Sequence, residues 1–246
     1  MSVGTSARRI VGGSVTSIET YPYAAALILS PSGTGIFRQY CGGSIINNRS
    51  ILTAASCFYL YNNIYQWRIR VGSTDATSGG VVFTINRIAR HDNFNNMTVY
   101  DNDIAVMRIN GAFSFNNKVR AGPIAGPNYI LPDNAPLWVI GWGTTSSEGL
   151  SSSQLRHVRV WVVNQSECRN RYAELLNIIP VTDNMMCSGY LGVGGRDACR
   201  GDSGGPVIHN DVIVGVSSWR YQCGHPRYPG VNTRVSRFTS WILSNQ

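Results

Sequence analysis

Short strand-like stretches, turns at frequent intervals and one amphipathic helix close to the C-terminus predict an all-β protein. The pattern by itself fits a sandwich and a barrel equally. The chain has 246 residues, 43% of them hydrophobic, 26 glycines and no long apolar run. It can therefore bury a sizeable core, and it offers no segment suited to a membrane-spanning helix.

The first apolar run is Tyr23 to Ser30, closed by a Pro31-Ser32-Gly33 turn, with a second strand candidate from Ile36 to Tyr40. Cys41-Gly42-Gly43-Ser44-Ile45-Ile46 extends it into the Asn47-Asn48-Arg49 turn, and Ile51 to Cys57 follows, so that Cys41 and Cys57 flank a hairpin within reach of a local disulfide. Arg68 to Gly72 and Gly80 to Ile88 alternate as strands; the loop between them holds only Asp75 as a carboxylate, too few hard ligands for calcium. Asp101 to Arg108 places Asp103 at the mouth of an apolar strand, where a carboxylate is ordinarily a turn or cap residue. Ala121 to Pro136 is rich in Gly, Pro and Asn and reads as a connector between two halves. Trp138 to Gly143 and Val158 to Val163 resume the strand pattern, and Asn164 to Leu176 reads as a short helix capped by Asn164. Val207-Ile208 and Val212 to Trp219 form a hairpin around Asn210-Asp211, and Val235 to Leu243 brings Val235, Phe238, Trp241 and Ile242 to one helical face.

Six cysteines at wide spacings, with no Cys-x-x-Cys pair, point to three disulfides and an oxidising compartment. No metal site and no cofactor are expected. The net charge is +8, and Lys118 is the only lysine among 21 cations. The arginines are scattered and no nucleic-acid-binding motif accompanies them, which argues against a nucleic-acid partner. Arginine keeps its charge above about pH 12, whereas lysine titrates near about 10.4, so this surface suits a strongly alkaline fluid. Asn48, Asn96 and Asn164 begin glycosylation sequons.

The stretch with the densest chemistry is Asp197-Ala198-Cys199-Arg200-Gly201-Asp202-Ser203-Gly204-Gly205-Pro206. Glycines around Ser203 let the backbone approach a substrate and aim N–H groups at a developing oxyanion. At the other end, Arg8-Arg9 precedes Ile10-Val11-Gly12-Gly13, so a cut after Arg9 would free the Ile10 amine to pair with a buried carboxylate.

Arg9-Ile10-Val11-Gly12-Gly13, Thr53-Ala54-Ala55-x-Cys57, Asp103-Ile104-Ala105, Gly141-Trp142-Gly143 and Gly201-Asp202-Ser203-Gly204-Gly205-Pro206 occur in one order. From Ile10 to its end the chain resembles trypsins of the chymotrypsin-type serine protease family, insect midgut trypsins in particular. The resemblance implies two antiparallel six-stranded β-barrels with a C-terminal helix and an active-site cleft between the barrels. Residues 1–9 would be a propeptide or an added tail, about 10–120 the N-terminal barrel and about 121–246 the C-terminal barrel. The implied disulfides are Cys41–Cys57, Cys168–Cys187 and Cys199–Cys223. By the same resemblance Ser203 is the nucleophile, Asp103 the orienting acid, and the Gly201 and Ser203 amides the oxyanion hole. Asp202 would receive the Ile10 amine, Asp197 would form the base of a pocket for arginine or lysine, and Ser218 and Trp219 would wall it.

Two positions depart from the family pattern. The family carries histidine before Cys57, and this chain carries Ser56. A serine hydroxyl is a very weak base near neutral pH, so it cannot take the Ser203 proton. Loss of the base alone costs such a triad about 10⁶-fold, or roughly 8 kcal/mol of barrier. Between Trp219 and Cys223, where the family favours glycine, stand Arg220-Tyr221-Gln222. Arg220 either enters the pocket and pairs with Asp197 or points to solvent. The expectation is a secreted, extracellular, monomeric protease homologue, inactive as written, that binds a protein or peptide: a substrate-like segment, an inhibitor or another protease. The alternative is a digestive endopeptidase cutting after arginine or lysine, present as an inactivated variant and adapted to an alkaline gut lumen.

Overall fold

A computed structural model describes residues 11–146, 149, 151–175 and 179–246. After a two-residue strand β1 (Ser14–Val15), six strands close a first barrel: β2 (Ala24–Leu29), β3 (Arg38–Ile45), β4 (Ser50–Thr53), β5 (Trp67–Val71), β6 (Val81–Arg90) and β7 (Ala105–Ile109), in the order β2-β3-β4-β7-β6-β5. Strands β8 (Pro136–Gly141), β9 (Arg156–Val163), β10 (Met185–Gly189), β11 (Pro206–His209), β12 (Val212–Trp219) and β13 (Gly230–Arg234) form a second ring, which the β8–β9 pairing closes. The two closed antiparallel barrels answer the choice between barrel and sandwich that the pattern left open.

Alternation explains much of this. In β5, Trp67, Ile69 and Val71 face the interior while Arg68 and Arg70 face outward. In β9, Val158, Val160 and Val162 are buried between the partly exposed His157, exposed Arg159 and partly exposed Trp161. The β11–β12 turn places Asn210 and Asp211 at φ of 48° and 61°, the left-handed conformation that suits a tight hairpin. Strand β3 runs as one piece from Arg38, so the apolar Ile36 lies outside it and stays exposed. The described structure holds all three disulfides, Cys41–Cys57, Cys168–Cys187 and Cys199–Cys223.

Helix α1 (Gln165–Ala173) begins at Asn164, whose side-chain oxygen accepts from the Ser166 and Glu167 amides at 3.0 and 3.1 Å. Leu176, the end expected from sequence, lies outside the described residues. The C-terminal helix differs from expectation. A 3₁₀ turn over Val235–Arg237 is separated from α2 (Thr239–Asn245) by Phe238 at φ −117°, ψ 8°. Val235, Phe238 and Ile242 are buried despite the break, because burial of those side chains needs contact and not one continuous helix.

The barrels meet where the serine motif lies. The Gly42 amide of β3 donates to the Ser203 carbonyl at 2.8 Å, and a Cβ on Gly42 would sit 2.8 Å from the Gly205 Cα. Strand β1 pairs with β9, so the first strand among the described residues belongs to the second barrel's sheet.

Candidate active site

The loop before β7 brings a carboxylate to the seam. Asp103 is fully buried, and its carbonyl accepts from the Thr233 hydroxyl of β13 at 2.6 Å, which ties a first-barrel residue to the second barrel. Its neighbour Asp101 adds a second tie, accepting from Thr182 Oγ1 at 2.6 Å and Asn184 Nδ2 at 3.1 Å. Ser56, in the 3₁₀ turn Ala55–Phe58, donates to Asp103 twice: through its amide to Oδ1 at 2.7 Å and through its hydroxyl to Oδ2 at 2.9 Å. The Ser218 hydroxyl donates to Oδ2 at 2.5 Å. Burial pushes the Asp103 carboxyl up from its ordinary pKa, and the Ser218 and Ser56 hydrogen bonds oppose that rise.

Ser203 occupies a tight backbone cradle. Gly201 and Gly204 have φ of 92° and 83°, conformations that a side chain rarely tolerates. A Cβ on Gly204 would also lie 2.2 Å from Thr53 Oγ1. The Gly204 amide donates to the Ser217 carbonyl at 2.7 Å, and Gln39 Nε2 donates to the Gly201 carbonyl at 2.7 Å. The Ser203 hydroxyl itself reaches the Ser218 carbonyl at 3.4 Å, a long contact.

Ser56, Gly201, Ser203 and Ser218 line one cleft of about 440 Å³. Trp219 and Arg220 line an adjoining cleft of about 500 Å³, which shares Tyr100, Arg200 and Ser218 with the first. Among the described residues, no histidine lines either cleft. His91 packs on Phe238 and Trp241, and His157 stacks on Trp138 with its Nδ1 2.8 Å from the Tyr21 hydroxyl. His209 Nδ1 lies 2.8 Å from the Tyr129 hydroxyl, and His225 packs against Tyr221 and Tyr228.

Two further carboxylates, Asp197 and Asp202, are buried and line neither cleft. Asp202 accepts at Oδ1 from the Gly143 amide at 2.7 Å and at Oδ2 from the Cys199 amide at 2.9 Å. Burial pushes its pKa up to about 6 against the pull of those amides. Arg9 and Ile10 lie outside the described residues. Asp197 accepts from the Gly224 amide at 3.2 Å and faces Arg220, whose Nε lies 3.9 Å from Oδ2. The two side chains are 5% and 10% exposed, so Arg220 is turned inward and not toward solvent. Burial also carries Asp197 to about 6, outweighing the opposing charge of Arg220.

Sequence reasoning missed Gln39, Ser217 and Asp101. Each works through a fold contact: Gln39 through a partner 162 residues away, Asp101 through Thr182 and Asn184, and Ser217 through the inward turn of Arg220. None of the three stands in a motif that marks it.

Comparison with known proteins agrees with this geometry. The family described as Trypsin matches residues 10–242. "Trypsin, alkaline A" of Manduca sexta is 55% identical over 97% of this chain and 91% of its own length. "Trypsin CFT-1" of Choristoneura fumiferana is 53% identical over 97% and 91%, and "Achelase-1" of Lonomia achelous 47% identical over 96% and 100%. A two-barrel fold, a glycine-cradled serine at the seam and these matches across nearly the whole sequence make the chain a member of the trypsin family of chymotrypsin-type serine proteases.

Proposed function

We propose that this chain keeps the trypsin-type frame for engaging a peptide and lacks the proton acceptor needed to cut it. In this reading Ser203 is the nucleophile, Asp103 the orienting acid, and the Gly201 and Ser203 amides the oxyanion hole. Asp202 receives the Ile10 amine after cleavage behind Arg9, and Asp197, Ser218 and Trp219 form the primary pocket. Ser56 stands where the family places its histidine.

The observation that carries the proposal is the hydrogen bonding around Asp103. Ser56 directs its hydroxyl hydrogen to Asp103 Oδ2 at 2.9 Å, while the Ser203 hydroxyl has only the Ser218 carbonyl, at 3.4 Å, among the described residues. A carbonyl does not remove a proton, and a serine hydroxyl is too weakly basic to do so. Attack by Ser203 would therefore shed its proton to water alone. The cradle would still stabilise an oxyanion, which in such sites leaves about 10³- to 10⁴-fold catalysis over water. What remains is a cleft that binds a protein or peptide, in an extracellular and alkaline fluid.

The test is reactivity of Ser203 toward a small neutral fluorophosphonate, which needs the base and not the Asp197 pocket. The chain cut after Arg9 is expected to label negligibly, and its Ser56→His variant to label at Ser203. Rapid labelling of the unmodified chain would overturn the proposal.

A second reading has one observation in its favour: relatives 55% and 53% identical carry the name alkaline trypsin. The chain would then be a digestive endopeptidase cutting after arginine or lysine, carrying an inactivating Ser56. Trypsin-like turnover of arginyl amides by Ser56→His alone would favour it.

A further inference from the structure

Arg220 follows β12 directly, beside Ser218 at the edge of the cleft. A long cation there gains most hydration by extending into solvent, yet its side chain is only 10% exposed. It folds back so that Nη2 donates to Ser217 Oγ at 2.9 Å and Nε approaches Asp197 Oδ2 at 3.9 Å.

The contact is not a structural ion pair of the usual kind. At 3.9 Å it is a single approach without a hydrogen bond, and Arg220 Nε is buried with no hydrogen-bond partner among the described residues. A well-made arginine–carboxylate pair is bidentate and shorter, at about 2.7–2.9 Å. The hydrogen bonds of Asp197 come from the backbone, notably the Gly224 amide at 3.2 Å. Space for its carboxylate comes from Gly230, where a Cβ would lie 2.5 Å from Oδ1. The site is thus built from backbone amides and a missing side chain, and Arg220 occupies it without completing it. Burial keeps the Asp197 carboxyl pushed up to about 6, and the charge of Arg220 beside it opposes that rise without cancelling it.

We infer that Arg220 is an intramolecular occupant of the Asp197 pocket, a specificity-determining residue that closes the pocket to arginine, lysine and amidine ligands. The inference rests on the proposed role of Asp197 as the base of the primary pocket, and it holds whether or not Ser203 can be activated. An entering guanidinium or ammonium would have to expel Arg220 from Ser217 and Asp197, because the Arg220 side chain fills the approach to the carboxylate and a second cation buried beside it would meet like-charge repulsion. With Arg220 shortened, the same carboxylate would stand open to a ligand able to pair with both of its oxygens.

The experiment measures binding of p-aminobenzamidine, a fluorescent aryl amidinium, to the full chain cut after Arg9 and to its Arg220→Gly variant; neither measurement involves catalysis. The expected result is binding at least about tenfold tighter to Arg220→Gly, and loss of that gain in Arg220→Gly/Asp197→Ser. Should Arg220→Gly fold poorly, Arg220→Ser, which keeps a short polar side chain, is expected to give the same gain. Equal binding by the unmodified chain and the variants overturns the inference, and so does a failure of every folded variant to bind. Fluorophosphonate labelling of Ser56→His reports on the base independently, so failure of one proposal leaves the other legible.

Discussion

Asp103 and Asp197 are both buried carboxylates, both carried upward in pKa by burial, and both in contact with residues that line the clefts around Ser203: Ser56 and Ser218 for Asp103, Arg220 for Asp197. Their surroundings differ in kind. Around Asp103 two small hydroxyls, Ser56 and Ser218, and one amide meet its oxygens at 2.5 to 2.9 Å. Around Asp197 one long cation fills the space at 3.9 Å and hydrogen-bonds to Ser217 instead. The first end is chemically satisfied and, in the proposed reading, lacks a group the reaction needs. The second holds a group a ligand would have to displace. If both proposals hold, one frame is silenced by subtraction at one carboxylate and by addition at the other.

The contrast breaks most visibly if both ends are changed together. Ser56→His/Arg220→Gly, cut after Arg9, is expected to cleave an arginyl amide at least about 10⁶-fold faster than the parent, the share that restoring the base to a triad supplies alone. Ser56→His alone should fall far short on that substrate, which steady-state rates of the two variants would decide. A rate for the single variant equal to the double would mean that addition at Asp197 carries no penalty.

A smaller effect isolates the Asp103 end. In the doubly changed protein Asp103→Asn is expected to lower turnover about 10⁴-fold, because the amide no longer orients and stabilises the imidazolium. In the parent chain the same substitution should leave the residual rate nearly unchanged, since no imidazole is there to orient. A large loss in the parent would assign Asp103 a catalytic part that the Ser56 reading denies it.

The smallest effect is on stability. Asp197 and Asp202 are carried to about 6 from 3.8 in the folded protein. The folded state therefore binds protons more tightly than the unfolded state. Stability from these groups is fully present below about pH 4 and is lost as pH rises to about 6, by roughly 2 to 3 kcal/mol per carboxylate. Urea melts between pH 4 and 6 would measure the slope. Cleavage after Arg9 should flatten the part due to Asp202 if the Ile10 amine reaches it, and leave the part due to Asp197. An unchanged slope after complete cleavage would count against that pairing.

Much of the fold was legible because buried and exposed residues alternate in β5 and β9, and because asparagine and aspartate mark the β11–β12 turn. Strands β10 and β13 escaped for a physical reason. Met185–Gly189 is buried at every position and Gly230–Arg234 at all but the last, so neither shows alternation, and each is a strand by virtue of its neighbours. The break at Phe238 escaped because helical spacing of apolar residues reports which side chains are buried and not whether the backbone between them is continuous.

The candidate site divides along the same line. Residue identity alone determined that a serine precedes Cys57, that glycines surround Ser203, and that an arginine follows Trp219; no packing can turn Ser56 into a base. The direction of Arg220 belonged to the tertiary structure. An arginine at the end of a strand has solvent and interior both within reach, and only the buried carboxylate of Asp197, the hydroxyl of Ser217 and the space left by Gly230, brought together from separate parts of the second barrel, turn it inward.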